Sequence, residues 1–301
     1  MIGHEKIIRD LKDLRTRGVL SHGYIFHGPA MVGKKLAALS FANFLEKEEF
    51  GEDGILSDLM LIEPPAAGPG SGSIGIDAVR EIRNFLWQKP NTSSRRTLII
   101  DNAELLTIEA QNALLKVTEE PPASSLLILV TSDMESILPT ITSRLPKIYF
   151  GPVSAAEIEA WLMEEREGND GKTGDAKKKT AAMKTEMAAL AKKAMGKPGL
   201  AWRLLHDENF QKQVELAEKL LKTPAAARRD LIKKIIEPDE FSFRKFLDAM
   251  IVSLAWRESA GSGGARAAGQ SAALWHKALQ LYDRETNFSL NPRLQLESLL
   301  S

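Results

Sequence analysis

Cysteine is absent from the 301 residues of this sequence. Disulfide bonds and cysteine-ligated metal sites are therefore excluded, and the absence suits a reducing compartment. Long apolar runs are absent too, since none approaches the roughly 20 residues that a membrane-spanning helix needs. The first ten residues, MIGHEKIIRD, are charged from the start and do not resemble a secretory signal. We predict a cytoplasmic, soluble protein that has no membrane partner and binds no zinc.

An excess of either charge is also lacking, because 40 Lys and Arg residues balance 40 Asp and Glu residues. A protein that holds DNA alone is usually basic, since its cations must replace the counterions of the phosphates. We therefore expect any contact with DNA to be local or shared with partner proteins. Hydrophobic residues make up 44% of the chain, which is enough for ordinary packed cores.

The first half of the sequence alternates between strand and helix patterns. Five short apolar runs have the composition of buried strands: GYIFHG, LMLIEPP, RTLIID, LLILVTS and KIYF. This alternation predicts an α/β core with a parallel five-stranded sheet and helices on both faces. After Pro152 only helical patterns follow. We predict a core over residues 1–151, a small helical domain over 152–207 and a larger helical domain over 208–301.

Capping residues predict where two helices of the core begin. Asp77 precedes an apolar stripe that includes Val79 and Ile82, so we expect it to cap that helix. Thr107 precedes the helical stretch IEAQNALLKVTEE, and Pro121–Pro122 should end it.

The stretch HGPAMVGKK, residues 27–35, lies between a predicted strand and a predicted helix. It matches the phosphate-binding pattern G-x-x-x-x-G-K-[ST] at Gly28, Gly33 and Lys34 but has Lys35 in place of Ser or Thr. Backbone N–H groups and Lys34 can cradle a phosphate in such a loop. However, the hydroxyl that ligates Mg²⁺ is missing, and a lysine cation would repel the metal. The alternative is a glycine-rich turn that binds nothing.

Two further positions weaken a working nucleotide site. Met31 stands where such loops often carry glycine, and a Cβ there is strained if φ is positive. Asp101, at the end of the strand RTLIID, could hold Mg²⁺ through its carboxylate. The next residue is Asn102, which cannot accept a proton at neutral pH. The alternative for Asp101–Asn102 is a polar strand end that caps the next turn.

Four stretches together resemble the AAA+ subunits of the bacterial DNA polymerase III clamp loader: SHGYIFHGPAMVGKK, AQNALLKVTEEPP, LPTITSRLPKIYF and NFSLNPRLQLESLL. The resemblance covers most of the chain, and AQNALLKVTEEPP is its most specific part. It implies a P-loop AAA+ core, a helical lid and an all-helical collar that joins five subunits in a ring. Family members often carry a four-cysteine zinc module in the segment corresponding to Glu46–Asp58, which this chain cannot form.

Three departures from the hydrolysing subunits of this family point the same way. Lys35 replaces the loop threonine, Asn102 replaces the strand glutamate, and Gly199 replaces the lid arginine. The resemblance is therefore to the non-hydrolysing, delta-prime type of subunit, and we expect no ATPase activity of its own. Its implied partners are the ATPase and delta subunits in a hetero-pentamer, the sliding clamp, and primed DNA reached through the complex. The alternative is an ATP-hydrolysing, gamma/tau-like subunit with an atypical metal site.

No cofactor is required by this interpretation. Whether ATP or ADP still binds stays open, and the residues that would hold it are Gly28, Gly33, Lys34, Lys35 and Asp101.

The resemblance also implies a role for Arg144, in the stretch TSRLP. There it would be an arginine finger that reaches the γ-phosphate of ATP bound to the adjacent subunit, with Ser143 capping or positioning its turn. A planar, always charged guanidinium suits a triphosphate that gains charge in the transition state. The alternative is an interdomain salt bridge at the start of the lid.

A group of basic residues surrounds the third predicted helix of the core and the loop after it. These residues could face DNA phosphates inside the ring; the alternative is a solvated surface. The candidates are Arg80, Arg83, Lys89, Arg95 and Arg96.

Overall fold

The computed structural model describes residues 2–48, 56–64, 72–169, 176–238, 241–259, 272–282 and 291–300. The chain divides into two compact units, Met1–Leu200 and Ala201–Ser301. The predicted division into three domains stays a prediction.

A five-stranded parallel sheet forms the centre of the first unit. Its strands are β1 Gly23–His27, β2 Leu59–Ile62, β3 Arg96–Ile100, β4 Ser125–Thr131 and β5 Lys147–Tyr149. Their spatial order is β2-β3-β4-β1-β5, and every pairing is parallel. All seven residues of β4 are buried, as expected for a central strand covered on both faces. The predicted α/β core with a parallel five-stranded sheet is confirmed.

Helices pack on both faces of this sheet. On one face lie α1 Glu5–Thr16 and α2 Lys34–Lys47, and on the other α3 Ile76–Leu86, α4 Ile108–Glu119 and α5 Pro139–Thr142. The first unit also contains α6 Ala155–Asn169 and α7 Ala176–Lys193, which pack on each other, and α8 Pro198–His206 crosses into the second unit. Successive strand side chains point to opposite faces, so Ile25 joins a core with α3 and α4 whereas Phe26 joins a core with α1 and α2.

Of the two predicted helix caps, one is confirmed and one is wrong. Thr107 accepts a hydrogen bond from the Ala110 backbone N–H at 3.2 Å and starts α4. Asp77 does not cap α3, because the helix already begins at Ile76 after Gly75 and has no side-chain cap. Asp77 instead lies in the first turn, where its carboxylate pairs with Arg80 at 3.0 Å.

The second unit is helical throughout the residues that the structure describes. Its helices are α9 Glu208–Lys222, α10 Ala225–Ile236, α11 Phe243–Ser259, α12 272–282 and α13 Pro292–Leu299. They share a core that includes Leu220, Phe246 and Leu296. The stretch NFSLNPRLQLESLL supplies α13, while its first residues, up to 290, lie outside the described ranges. Among the described helices, none combines the length and the apolar character needed to cross a membrane.

Candidate functional site

The glycine loop, residues 28–33, connects β1 to α2, which is the context that the phosphate-binding pattern requires. Gly28 has φ 137°, and a Cβ at this position would lie 2.1 Å from the Phe150 carbonyl oxygen, so no other residue fits. Gly33, with φ 101°, is the residue before α2. Met31 adopts φ 64°, a left-handed conformation that costs a side chain about 1–2 kcal/mol. The loop therefore includes a strained residue at Met31.

The Lys34 side chain turns back onto the glycine loop, and the residue is only 6% exposed. Its Nζ donates hydrogen bonds to the carbonyl oxygens of Gly28 at 2.8 Å and Pro29 at 2.7 Å, and to Ser132 Oγ at 3.0 Å. An ammonium group has three N–H donors, and these three acceptors occupy all of them. Burial lowers the pKa of Lys34, although nearby carboxylates oppose that shift. The fold itself thus holds the lysine that would reach a phosphate.

Other parts of the first unit satisfy two further carbonyl oxygens of the glycine loop. The Gly199 backbone N–H donates to the Met31 carbonyl at 3.0 Å, and His4 Nε2 lies 3.0 Å from the Val32 carbonyl. A Cβ at Gly199 would approach the Met31 Cβ to 3.2 Å, so the lack of a side chain lets α8 come this close. The resemblance implies an arginine at this position in hydrolysing subunits. In this chain the position is Gly199, whose backbone N–H contacts the Met31 carbonyl directly.

Lys35 lies between two carboxylates that follow neighbouring strands. Its Nζ forms ion pairs with Glu63 and, at 3.7 Å, with Asp101 Oδ2. The Asp101 side chain is 14% exposed, and burial raises its pKa above the ordinary value, although the Lys35 charge opposes that shift. Sequence reasoning missed Glu63, because only the pairing of β2 with β3 brings the residue after β2 beside Asp101.

Asn102 and Glu104 form the turn that follows β3. Asn102 has φ 50°, a conformation that asparagine tolerates better than most residues. Its carbonyl accepts the Leu105 N–H at 2.9 Å, while its side chain makes no capping hydrogen bond. Glu104 Oε1 accepts a hydrogen bond from the Ser132 N–H at 3.3 Å, and its charge acts on Lys34. Neither Glu104 nor Ser132 was predicted, since no motif marks them.

The residues at the glycine loop do not fit a magnesium-bound nucleotide. Lys35 stands between the carboxylates of Asp101 and Glu63, where a metal ion would have to enter. All three donors of Lys34 end on acceptors of the first unit. With Glu104 included, the two lysines face three carboxylates, and that balance is wrong for a polyanion that favours clustered donors and positive charge.

Arg144 lies in the turn between α5 and β5, a region named here the Arg144 corner together with Glu119 and Thr140. Its Nη1 donates to the Thr140 carbonyl at 2.6 Å, and its Nη2 donates to Glu119 Oε1 at 2.8 Å. The Arg144 side chain is 36% exposed and that of Glu119 is 49% exposed. Ser143 Oγ donates to the same Thr140 carbonyl at 3.1 Å. The ion pair joins two elements within the first unit, α4 and the turn after α5.

Two of the five candidate DNA contacts are engaged in the packing of the first unit. Arg96 is 6% exposed, donates from Nε to the Lys89 carbonyl at 3.1 Å, and stacks 4.7 Å from the Phe85 ring centroid. Arg95 donates to three backbone carbonyls, those of Leu20, Ser21 and Ser125. Both guanidinium groups tie loops to the sheet, so they are not available to phosphates.

The other three candidates are exposed along α3 and the turn that follows it. Arg80 pairs with Asp77 at 3.0 Å in a contact open to solvent, and Arg83 lies 5.7 Å from the Trp87 ring centroid. Lys89 is exposed as well. The DNA-facing surface stays a prediction, and Arg80, Arg83 and Lys89 are its members whose side chains are accessible.

The segment corresponding to the zinc module is described only at its ends, residues 46–48 and 56–58. There the Glu46 carboxylate accepts hydrogen bonds from the Ser57 N–H at 2.8 Å, the Ser57 hydroxyl at 2.9 Å and the Asp58 N–H at 3.1 Å. Within the described ranges, no three or more His, Cys, Asp or Glu side chains gather into a metal site. The expectation of no zinc stays a prediction.

Asp58 is a buried carboxylate, 2% exposed, that holds the loop before β3. It accepts backbone hydrogen bonds at 2.7, 2.8 and 2.8 Å from Asn91, Thr92 and Ser93. Burial alone would raise the pKa of Asp58, but these three donors and the Arg96 charge lower it below its ordinary value. Hydrogen bonds therefore fasten this edge of the sheet.

Comparison with known proteins adds sequence relatives to this geometry. A family described as "DNA polymerase III, delta subunit" matches residues 3–154. The DNA polymerase III subunit tau of Bacillus subtilis is 29% identical over 290 residues, covering 82% of this chain and 49% of that protein. The DNA polymerase III subunit delta' of Escherichia coli is 32% identical over 151 residues, covering 50% and 41%. The chain thus spans half or less of the length of these curated relatives.

A solved structure supports the same architecture. The DNA polymerase III gamma subunit-related protein of Thermotoga maritima superposes with a TM-score of 0.59 at 21% identity, covering 96% of this chain and 97% of that one. At this identity the likeness shows a shared fold and nothing more.

Proposed function

This chain belongs to the family described as DNA polymerase III, delta subunit, and from that premise we propose that it is a non-hydrolysing, delta-prime-like subunit of the clamp loader. In this role it acts by binding and positioning. It joins the ATPase and delta subunits in the cytoplasm, helps them place the sliding clamp on primed DNA, and supplies Arg144 to the nucleotide site of a neighbouring subunit.

The observation that carries this proposal is the contrast in what each cation touches. The buried Lys34 is hydrogen-bonded to acceptors of the first unit. Lys35, whose side chain is 37% exposed, is paired with Glu63 and Asp101, so neither lysine at the glycine loop is free for a nucleotide. Arg144 is more than one-third exposed and makes two hydrogen-bonded contacts, to Thr140 and Glu119. Because a guanidinium has five N–H donors, it has the capacity to meet a phosphate while keeping both contacts.

The chemistry of arginine suits this position. Its planar fork stays charged at every physiological pH and binds phosphate oxygens in pairs. Glu119 and Thr140 fix the plane of the fork from one side. Such a group stabilises the charge that a transferring phosphoryl group gains, without taking a proton.

The runner-up function is an ATP-hydrolysing, gamma/tau-like subunit. The similarity to the tau subunit of Bacillus subtilis favours it, because that match covers 82% of this chain against 50% for the delta' match from Escherichia coli. The side chains at the glycine loop weigh against it, since Lys35 fills the metal's place and Asn102 offers no base. A paralogue with an intact loop threonine and strand glutamate in the same genome would support the delta-prime-like assignment.

The test is reconstitution with the cognate ATPase and delta subunits, the sliding clamp and primed DNA. Arg144→Ala should lower total ATPase only in part, because one of several sites loses its finger, although fingers contribute about 10³–10⁵ in rate at their own site. Clamp loading should fall further if all sites must act together. Arg144→Lys should rescue poorly, because a point charge cannot reproduce the fork.

A matched control comes from the same unit. Arg166 pairs with Glu186 at 2.9 Å with side-chain exposures of 37% and 53%, close to the values for Arg144 and Glu119. Arg166→Ala should leave ATPase and clamp loading unchanged. Unchanged activity of the Arg144→Ala complex with normal assembly would reject the finger. A melting temperature lowered far more by Arg144→Ala than by Arg166→Ala would favour a structural salt bridge.

A further inference from the structure

Lys35 does more than interrupt the phosphate-binding pattern. We propose that its ammonium group is a built-in replacement for the metal ion. It holds the carboxylates of Asp101 and Glu63 together, so that the glycine loop keeps its internally hydrogen-bonded conformation without a nucleotide. The inference concerns this chain's own fold and does not depend on its assembly into a clamp loader.

The geometry places Lys35 at a junction of three elements. The residue lies in the first turn of α2, Glu63 directly follows β2, and Asp101 directly follows β3. β2 and β3 are paired in parallel register, with Ile62 opposite Ile100, so the two carboxylates leave the same edge of the sheet side by side. The Lys35 Nζ contacts Glu63 and lies 3.7 Å from Asp101 Oδ2. One cation thus joins a helix start to two strand ends.

The need for a cation here follows from burial. The Asp101 side chain is 14% exposed, and a carboxylate with so little access to water must have a compensating charge. In a phosphate-binding loop that works, Mg²⁺ supplies that charge, held by the loop hydroxyl and the strand carboxylate. Lys35 brings the charge covalently attached, so the compensation is present at every metal concentration.

The surrounding contacts keep the loop in one state. Lys34 is saturated by two loop carbonyls and Ser132. The Met31 and Val32 carbonyls are held by Gly199 and His4. Every one of these bonds is internal to the first unit, so the conformation of the glycine loop does not require a ligand.

A double-mutant cycle on the isolated full chain tests the charge replacement directly. Lys35→Met removes the ammonium and keeps most of the side-chain length, and it should lower the melting temperature by about 2–4 °C. In the Asp101→Asn background the same change should cost little, because the buried carboxylate is gone. Equal losses in both backgrounds would overturn the proposal.

A second measurement follows the metal. Fluorescent ATP analogue is titrated into the wild type, Lys35→Thr and Lys35→Met, with Mg²⁺ or with EDTA. The wild type and Lys35→Met should show no magnesium dependence, whereas Lys35→Thr, which regains the hydroxyl and frees Asp101, should bind at least ~10-fold more tightly with Mg²⁺.

Two results of that titration would contradict the proposal. One is magnesium-dependent binding by the wild type as strong as that of Lys35→Thr. The other is a Lys35→Thr variant that melts cooperatively and still shows no magnesium dependence. Because neither measurement uses the reconstituted complex, failure of the clamp-loading assay leaves them unaffected, and their failure leaves the role of Arg144 untouched.

Discussion

Lys34 and Arg144 are two of the cations that the sequence analysis predicted as site residues, and they differ strongly in their exposure to solvent. Lys34 is 6% exposed, whereas 36% of the Arg144 side chain is exposed. Lys34 donates hydrogen bonds to three acceptors around the glycine loop. Arg144 donates hydrogen bonds to one carbonyl and to one half-exposed carboxylate at the Arg144 corner of the same unit.

The proposed function rests on this difference. Lys34 is part of the packing around the glycine loop, where its hydrogen bonds stabilise the chain. The cation at the Arg144 corner contributes little to stability, because exposed ion pairs are worth about 0–1 kcal/mol. A cation that contributes little to the stability of its own chain can be used for a partner, and this is the reason for proposing Arg144 as the finger.

The largest expected effect on stability comes from a backbone position in the glycine loop. Gly28→Ala places a Cβ 2.1 Å from the Phe150 carbonyl, so overpacking and strain together should destabilise the first unit by roughly 3–5 kcal/mol. Gly75→Ala is the control, because Gly75 has φ −84° and no atom within 4 Å of a Cβ. Chemical denaturation measures both variants. Equal stabilities would show that the glycine loop is not a rigid part of the unit.

A smaller effect compares the two cations themselves. Lys34→Met leaves two carbonyls and a hydroxyl without their donor, which should cost about 2–3 kcal/mol. Arg144→Met should cost about 0.5 kcal/mol or less, since its contacts are exposed. The same free energy of unfolding for the two variants in urea denaturation would show that Lys34 and Arg144 contribute equally to stability, contrary to this prediction.

Acid should separate a buried carboxylate from the exposed ones. The pKa of Asp58 is lowered in the folded chain, so its contribution to stability is complete above its unfolded pKa of about 3.9 and is lost as the pH falls through the lower folded value. Asp58→Asn should reduce stability at pH 7 and flatten the loss below about pH 4. The exposed Asp13→Asn serves as the control.

Melting temperature against pH is the readout for the wild type, Asp58→Asn and Asp13→Asn. If the melting temperatures of the wild type and Asp58→Asn fell by the same amount as the pH is lowered below about 4, the proposed role of this carboxylate would be refuted.

The smallest expected effect concerns the partner of Arg144. Glu119→Gln weakens the ion pair at 2.8 Å, and an exposed pair of this kind is worth about 0.2–1 kcal/mol, so ATPase at that one site of the complex should fall about 1.5- to 5-fold. The melting temperature should fall by no more than about 2–4 °C. Glu186→Gln, in the matched pair with Arg166, should have a similarly small effect on the melting temperature and should leave ATPase unchanged.

A positioning role for Glu119 has a signature that a structural role lacks. In the Arg144→Ala background, Glu119→Gln should cause no further loss of ATPase, because the residue that it positions is gone. Additive losses would show that Glu119 acts independently of Arg144.

Much of the fold was predictable because strands and helices have different periods. The buried strands RTLII and SLLILVT, and the Thr107 cap of α4, follow from local composition and capping rules. Asp77 failed as a cap because the choice between two adjacent starting points for α3 depends on local backbone geometry that the residue type does not fix.

The sequence alone determined the α/β core, the position of the glycine loop and the loss of the hydroxyl at Lys35, since each depends on residues close together in the chain. Tertiary structure decided where the charges go. Glu63 meets Lys35 only because β2 pairs with β3, and Glu119 meets Arg144 only because α4 ends beside the turn after α5. Electrostatic and hydrogen-bonding energies depend on distances in space and on burial, and the order of residues along the chain fixes neither.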